Sequence, residues 1–246
     1  MIKSAVYVGT RNLYEDMIPA VKSLLINSDV DVIYLLIEDD AFPQYLPECV
    51  KTINVSGQTY FPKDGPNVNY RWTYMTLMRA ALTKVLPDVD VILSMDDDVI
   101  AMRDMSGVWD LPIDDYYYAA AEEPYKSKGG KGYICDYYGQ MGVVLFNLKK
   151  LREDGKDDEV IQYLNTKKCP FVEQTAFNLN CQGGIYPMSA EYNMSNYTKK
   201  EGIPKIVHYA AIWNWNTFSI VNHYRGIPWE EVERIHDENI NRRSDI

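Results

Sequence analysis

Histidine is scarce in this 246-residue chain, which has only His208, His223 and His236. Cysteine is scarce and scattered as well: Cys49, Cys135, Cys169 and Cys181 show neither the paired spacing of a zinc module nor the framework of a small disulfide-held domain. They read as reduced thiols, and a chain this long buries enough core without covalent support. Basic residues are outnumbered, 25 against 35 acidic, for a net charge of −10. That balance argues against nonspecific binding to nucleic acid or to anionic membranes. No apolar run reaches the ~20 residues of a membrane span. The sequence enters a strand-like segment at Ile2–Val8 without a leader-like region. The expectation is a cytoplasmic protein, docked at most on the inner face of a membrane, with no transmembrane segment and no nucleic-acid partner.

What is present is a strand–helix alternation. Ser4–Val8, Val30–Ile37, Lys51–Val55 and Val91–Met95 read as strands, three of them apolar without period-two alternation, as parallel strands buried on both faces are. Met17–Ile26, with Pro19 near its start, and Tyr74–Val85, stopped before Pro87, read as helices. Further on, Tyr116–Ala121 and Met141–Leu148 read as strands, Phe171–Leu179 as the start of a helix, and Pro228–Arg243 as a solvated helix with acids first and arginines last. This order predicts an α/β fold with a doubly wound, mostly parallel sheet in a single domain spanning 1–246.

Asp96, Asp97 and Asp98 stand at the end of the Val91–Met95 run. Two carboxylates ~4 Å apart in a partly buried site repel by on the order of 4 kcal/mol, so a strand ending in three of them favours a cation. If strand geometry continues through the triplet, Asp96 and Asp98 share a face and Asp97 points away. Hard oxygen ligands suit Mg²⁺ or Mn²⁺, and ligands of open α/β sheets gather at the carboxyl ends of strands. A solvated acidic turn is the competing reading. His208, in the strand-like Lys205–Ala210, is either a satisfied structural residue or the nitrogen ligand of that site, whereas His236 is expected to face solvent. Lys126–Gly132 is glycine-rich but lacks the spacing and the Lys-Ser/Thr ending of a phosphate loop, and reads as a surface loop whose lysines could meet an anionic substrate. Asn193-Met194-Ser195 and Asn196-Tyr197-Thr198 match the glycosylation sequon, a coincidence in a chain without a secretion signal. Most of the 20 tyrosines read as packing residues, although Tyr116–Tyr118, Tyr137 and Tyr138 flank the glycine-rich loop and could stack on a base or sugar.

Taken in order, these motifs resemble the family-8 glycosyltransferases, which include glycogenin and bacterial lipopolysaccharide galactosyl- and glucosyltransferases. The likeness runs from Ala5 to about Trp215. It rests on Thr10–Tyr14 after the first strand, on Arg79 upstream of Leu86-Pro87, and on Met95–Ile100 as the Asp-any-Asp motif. Met141–Asn147, Glu173–Asn178 and His208-Tyr209 complete the set.

The resemblance implies a GT-A fold, with a Rossmann-like nucleotide-binding half at about 1–100, an acceptor and catalytic half at about 101–220, and a helical extension at 221–246. It implies a retaining hexosyltransferase that takes UDP-glucose or UDP-galactose as donor and a glycan, glycolipid or protein as acceptor. Metal would be Mn²⁺ or Mg²⁺, held by Asp96, Asp98 and His208. Gln174 would lie near the anomeric carbon with Glu173 beside it. The remaining donor contacts would fall on Val8, Thr10, Asn12, Tyr14, Arg79, Asp97, Glu122, Gln140, Met141, Gly142 and Ala211, with Asp97 meeting the ribose or Arg79. Departures from the pattern are Glu173 for the usual Asp, Gln140 for the usual Asn, Ala211 for a Gly, and Asn214-Trp215-Asn216 where a diphosphate-binding lysine is expected. A lysine of the 126–131 loop is one substitute. A homo-oligomer is admitted, as are a nucleotide-sugar-binding module with weak transfer and a nucleotidyltransferase.

Overall fold

The computed structural model describes residues 1–68, 70, 72–123, 135–198 and 202–244. The predicted strands form β1 (Ser4–Val8), β2 (Val32–Ile37), β3 (Val50–Asn54) and β4 (Val91–Met95). They are followed by β5 (Val99–Ala101), β6 (Tyr118–Glu122), β7 (Gly139–Asn147), β8 (Ile185–Met188) and β9 (Ile206–His208). Seven of them make one sheet in the order β3-β2-β1-β4-β7-β6-β8. Only β7 runs against its neighbours β4 and β6; the other pairings are parallel. The mostly parallel α/β sheet expected from the sequence is therefore present.

Successive residues of each strand serve opposite faces. Ala5, Tyr7, Leu93, Met95, Val143 and Leu145 join one buried cluster with Met17, Val21 and Leu24 of α1 (Tyr14–Ile26). Val6, Ile92, Val144 and Phe146 join another with Met78, Leu82, Leu151, Leu164 and Phe177. Because both faces are covered, these strands carry no polar alternation, and all nine residues of β7 are buried.

Two helices differ from expectation in a way that bears on function. α1 begins at Tyr14, after a 3-10 turn at Arg11–Leu13, so Pro19 lies inside it. The segment read as one helix over Tyr74–Val85 is pinched into α2 (Tyr74–Leu77), a 3-10 turn (Met78–Ala81) and α3 (Leu82–Val85). Arg79 sits in the tightened turn. The next helices are α4 (Leu148–Glu153), α5 (Lys156–Thr166), α6 (Val172–Asn180), α7 (Ser219–Gly226) and α8 (Trp229–Ser244). Among the described residues, none is long and apolar enough to cross a membrane.

α8 is docked rather than solvated along its length, and His236 corrects the expectation most clearly. It is 6% exposed, with Nε2 2.7 Å from the Val30 carbonyl. Asn239 donates to the Ile26 carbonyl at 3.0 Å, and Arg243 pairs with Asp31. The helix thus closes the carbonyl-rich end of α1 and the approach to β2, a role its polar composition concealed. Lys22, buried in α1, reinforces this corner by donating to the Arg225 and Ile227 carbonyls and lying 4.7 Å from the Trp229 ring centroid. Replacing His236 with Ala leaves the Val30 carbonyl buried without its donor, so the urea midpoint should fall by the equivalent of about 1–3 kcal/mol with an unchanged m-value. An unaltered midpoint would show that the helix holds without this anchor.

Candidate functional site

β4 ends at Met95, and the aspartates do not continue it. The Asp96 amide still bonds to the Gly142 carbonyl at 2.8 Å, and the chain then turns through Asp97 and Asp98 into β5. Asp96 and Asp98 nevertheless converge, because the turn replaces strand alternation as the device that aims them. β5 pairs antiparallel with β9, Val99 opposite His208, and the Tyr209 amide bonds to the Asp98 carbonyl at 2.9 Å. This two-stranded ladder carries a residue from the far end of the sequence to the acidic turn. His208 Nε2 lies 3.2 Å from Asp98 Oδ1 and 3.5 Å from Asp96 Oδ2. One ligand atom from each of the three residues falls within 4.8 Å of the others.

The donor set of two carboxylates and an imidazole fits a divalent cation. Asp98 Oδ1 is buried, with His208 Nε2 3.2 Å away but not aligned as a hydrogen-bond donor, an arrangement that costs free energy unless a positive charge approaches it. Burial works to raise the Asp98 pKa, but His208, helped by Arg79, holds it below the ordinary carboxylate value. Asp97 behaves oppositely: burial, then the charge of Asp98, push it up to about 7. Arg79 pairs with Asp96, and its charge also acts on Asp97. The same guanidinium donates to the Met141 carbonyl at 2.7 Å and lies 3.5 Å from Glu173.

The cluster opens into a cavity of about 730 Å³. Val8, Thr10, Asn12, Arg79, Asp96, Asp97, Asp98, Gln140, Met141, Gly142, Glu173, Gln174, His208 and Ala211 all line it. Two residues expected there do not. Tyr14 is buried behind the first loop, where its hydroxyl donates to Asp39 at 3.0 Å and accepts from the Glu38 amide at 2.8 Å. Glu122 is exposed at the end of β6, where a register irregularity between Ala120 and Glu122 shifts which residue faces inward. Glu123 takes that place. It is 6% exposed, is raised above its ordinary pKa by burial, and accepts from Gln174 Nε2 at 2.9 Å. Strict alternation from Tyr118 could not have selected it, since the irregularity leaves no mark in the residue types. Trp72, Phe171 and Tyr197 also line the cavity, although the sequence marked none of them. The lysines of the 126–131 segment lie outside the described residues.

Gln174 is held from both ends. Its Oε1 accepts from the Met141 amide at 3.1 Å while Nε2 serves Glu123. One turn along α6, Asn178 brackets Gly139, accepting from its amide at 2.6 Å and donating to its carbonyl at 2.8 Å. Just ahead of the pair Glu173–Gln174, Val172 adopts φ 42°, and Ala211 beyond His208 adopts φ 58°. A left-handed conformation costs a residue with a Cβ roughly 1–2 kcal/mol, and such strain collects where a site demands a particular backbone. Gly142 is required for space: a Cβ there would run into the His208 ring.

The profile described as "Glycosyl transferase family 8" matches residues 20–228. A relative from Haemophilus influenzae named as a glycosyltransferase is 22% identical over 186 residues, covering 66% of this chain. Glycosyltransferase GlyF from Streptococcus pneumoniae serotype 4 is 20% identical over 94% of this chain. The chain spans 56% and 63% of the length of these two curated relatives. Among solved structures, galactosyltransferase LgtC in complex with donor and acceptor sugar analogues superposes with a TM-score of 0.67 at 19% identity, covering 93% of this chain and 99% of that one. The bifunctional glycosyltransferase WbbM gives a TM-score of 0.72 at 15% identity, over 95% of this chain and 51% of its own. Those likenesses establish a GT-A fold, and with the profile spanning most of its length, the chain belongs to glycosyl transferase family 8.

Proposed function

We propose that this chain transfers a hexose, glucose or galactose, from a UDP-sugar to a glycan, glycolipid or protein acceptor with retention of anomeric configuration, using Mn²⁺ or Mg²⁺. The observation that carries the reading is the convergence of Asp96, Asp98 and His208 on the wall of a cavity that also holds Arg79 and Gln174. Asp96, Asp98 and His208 would hold the ion, which when bound supplies Lewis-acid stabilisation of the charge that develops on the departing diphosphate. Val8, Thr10 and Asn12, at the carboxyl end of β1, stand where a nucleotide meets an open α/β sheet.

Gln174 is the residue proposed to face the anomeric carbon. The Met141 amide engages one lone pair of its Oε1, which leaves the other to steady positive charge on the sugar ring. A neutral amide whose nitrogen is tied to Glu123 is a poor covalent nucleophile, which favours front-face substitution over a double displacement. Arg79 orients the assembly by tying Asp96, the Met141 carbonyl and Glu173 together. Burial pushes Glu173 up to about 7, against the pull of Arg79.

One observation favours a second reading, a module that binds the nucleotide sugar and transfers it poorly. Asp96, Asp97, Asp98, Glu123 and Glu173 face the cavity, and among its described lining residues Arg79 is the one permanent cation. With no lysine among those residues to receive the departing diphosphate, a donor held through a bound cation would be transferred slowly.

Incubation with a panel of UDP-sugars and Mn²⁺ separates these readings through the rate of UDP release with and without EDTA. Metal-dependent hydrolysis of one donor, accelerated by an acceptor sugar, is the expected result. Binding of every donor without turnover would support the module, and release of pyrophosphate from a nucleoside triphosphate would support a nucleotidyltransferase. Replacing Gln174 with Ala should reduce turnover about 100-fold or more, in keeping with loss of an electrostatic stabiliser, while UDP affinity stays within about threefold; undiminished turnover would remove Gln174 from the reaction. The elevated pKa of Glu173 has a definite sign for stability. An acid whose folded pKa is raised from 4.5 to about 7 favours the folded state when protonated, and that contribution, on the order of 3 kcal/mol, is lost as pH rises through both values. In EDTA, the melting temperature should therefore fall between about pH 4.5 and pH 7, and Glu173→Gln should flatten that slope. An equally steep slope in the variant would place the titration elsewhere.

A further inference from the structure

Asn193, which begins the first of the two sequon matches, is 0% exposed. Its Oδ1 lies 2.9 Å from His208 Nδ1, and its Nδ2 donates to Gln140 Oε1. Gln140 Oε1 also accepts from the Gly142 amide at 2.6 Å. Side-chain amides and imidazoles can each be turned either way, so the sense of such a chain must come from a group that cannot. The Gly142 amide is that group, because a backbone N–H only donates. It requires an oxygen from Gln140. That oxygen requires the nitrogen of Asn193, whose oxygen is then left to face His208, and an oxygen there requires a proton on Nδ1. The lone pair of neutral His208 is consequently on Nε2, the atom directed at Asp96 and Asp98.

We infer that Asn193 is a positioning residue that sets the ring orientation and tautomer of His208 for a divalent cation, and that Gln140 is committed through its oxygen to holding Asn193. The inference rests on the metal-site reading of the preceding section. The remainder of the sequon pair builds the platform. Thr198 Oγ1 donates to the Asn193 carbonyl at 2.7 Å and accepts from the Ser195 amide at 2.8 Å, and Ser195 Oγ accepts from the Tyr197 amide at 3.0 Å. The Met194 carbonyl receives the His208 amide at 2.9 Å, so backbone and side chain of one segment grip the same histidine. Gln140 has one methylene more than the asparagine that the family resemblance leads one to expect, and its longer reach serves two donors at once.

Mn²⁺ alone, titrated into the full chain and followed by the electron paramagnetic resonance of the free ion, tests this without recourse to transfer activity. Asn193→Ala should weaken Mn²⁺ binding about 10–100-fold, the usual effect of removing the partner that orients a ligating imidazole. Asn193→Asp keeps an oxygen for Nδ1 but sets a carboxylate against Gln140 Oε1, and should bind more tightly than Asn193→Ala though below the parent. Gln140→Leu leaves the Gly142 and Asn193 donors without their acceptor and should also weaken binding. It carries the test together with Asn193→Asp if Asn193→Ala fails to fold by circular dichroism. Parent-like binding by Asn193→Ala, or by Gln140→Leu where Asn193→Ala does not fold, would overturn the assignment, as would a loss in Asn193→Asp as large as that in the other variants. A parent protein that takes up no Mn²⁺, with or without UDP, would instead strike the metal-site reading itself, and the assignment with it.

Discussion

The pairing of β5 with β9 is the contact on which the site depends. Three aspartates at the end of a parallel strand form only a patch of mutual repulsion until a counter-group is brought to them. The register that sets Val99 opposite His208 does this with backbone hydrogen bonds, which are indifferent to side-chain identity and tolerate little slippage. A shift of one residue would turn the imidazole to the other face of the ladder. Much of the surrounding structure preserves that register: Met194 bonds to the strand from one side, and α7 packs on α1 and gathers Tyr209 and Phe218 of the following segment around Ile100.

Around that ladder the binding groups are fastened to one another rather than to the frame alone. Arg79 links the acidic turn, β7 and α6 in a single buried knot. Gln174 and Asn178, one turn apart on α6, grip β7 at Met141 and Gly139. Residues contributed by five separate stretches of sequence therefore meet with little freedom to move independently, which suits chemistry that works by fixed charges and oriented dipoles. The left-handed Val172 and Ala211 mark where the backbone bends to accommodate this.

Legibility from sequence followed the range of the forces involved. Strands whose burial leaves a continuous apolar run were plain, and so was the acidic triplet at the end of one of them. His208 was recognisable as a partner only through the order of the motifs, since nothing local distinguishes a ligating imidazole from a packed one. Glu123 was hidden because a strand irregularity moved the inward position by one residue, and His236 because a polar helix conceals the side by which it docks. The switch of Asp96 and Asp98 from strand to turn illustrates a different case: the predicted convergence holds, but by another route. The register and the buried amide chain to Asn193 are long-range features, settled only when distant segments meet.

The burial of Asn193 has a consequence for how this protein is produced. In a eukaryotic secretory pathway, Asn193-Met194-Ser195 would be presented as an acceptor while the chain is still unfolded. A glycan attached there could not be accommodated at a position with no exposed surface, and the imidazole it should support would be displaced with it. Hosts or compartments without oligosaccharyltransferase avoid that trap, and the same sequence that folds into this site in one compartment would be barred from doing so by a glycan in another.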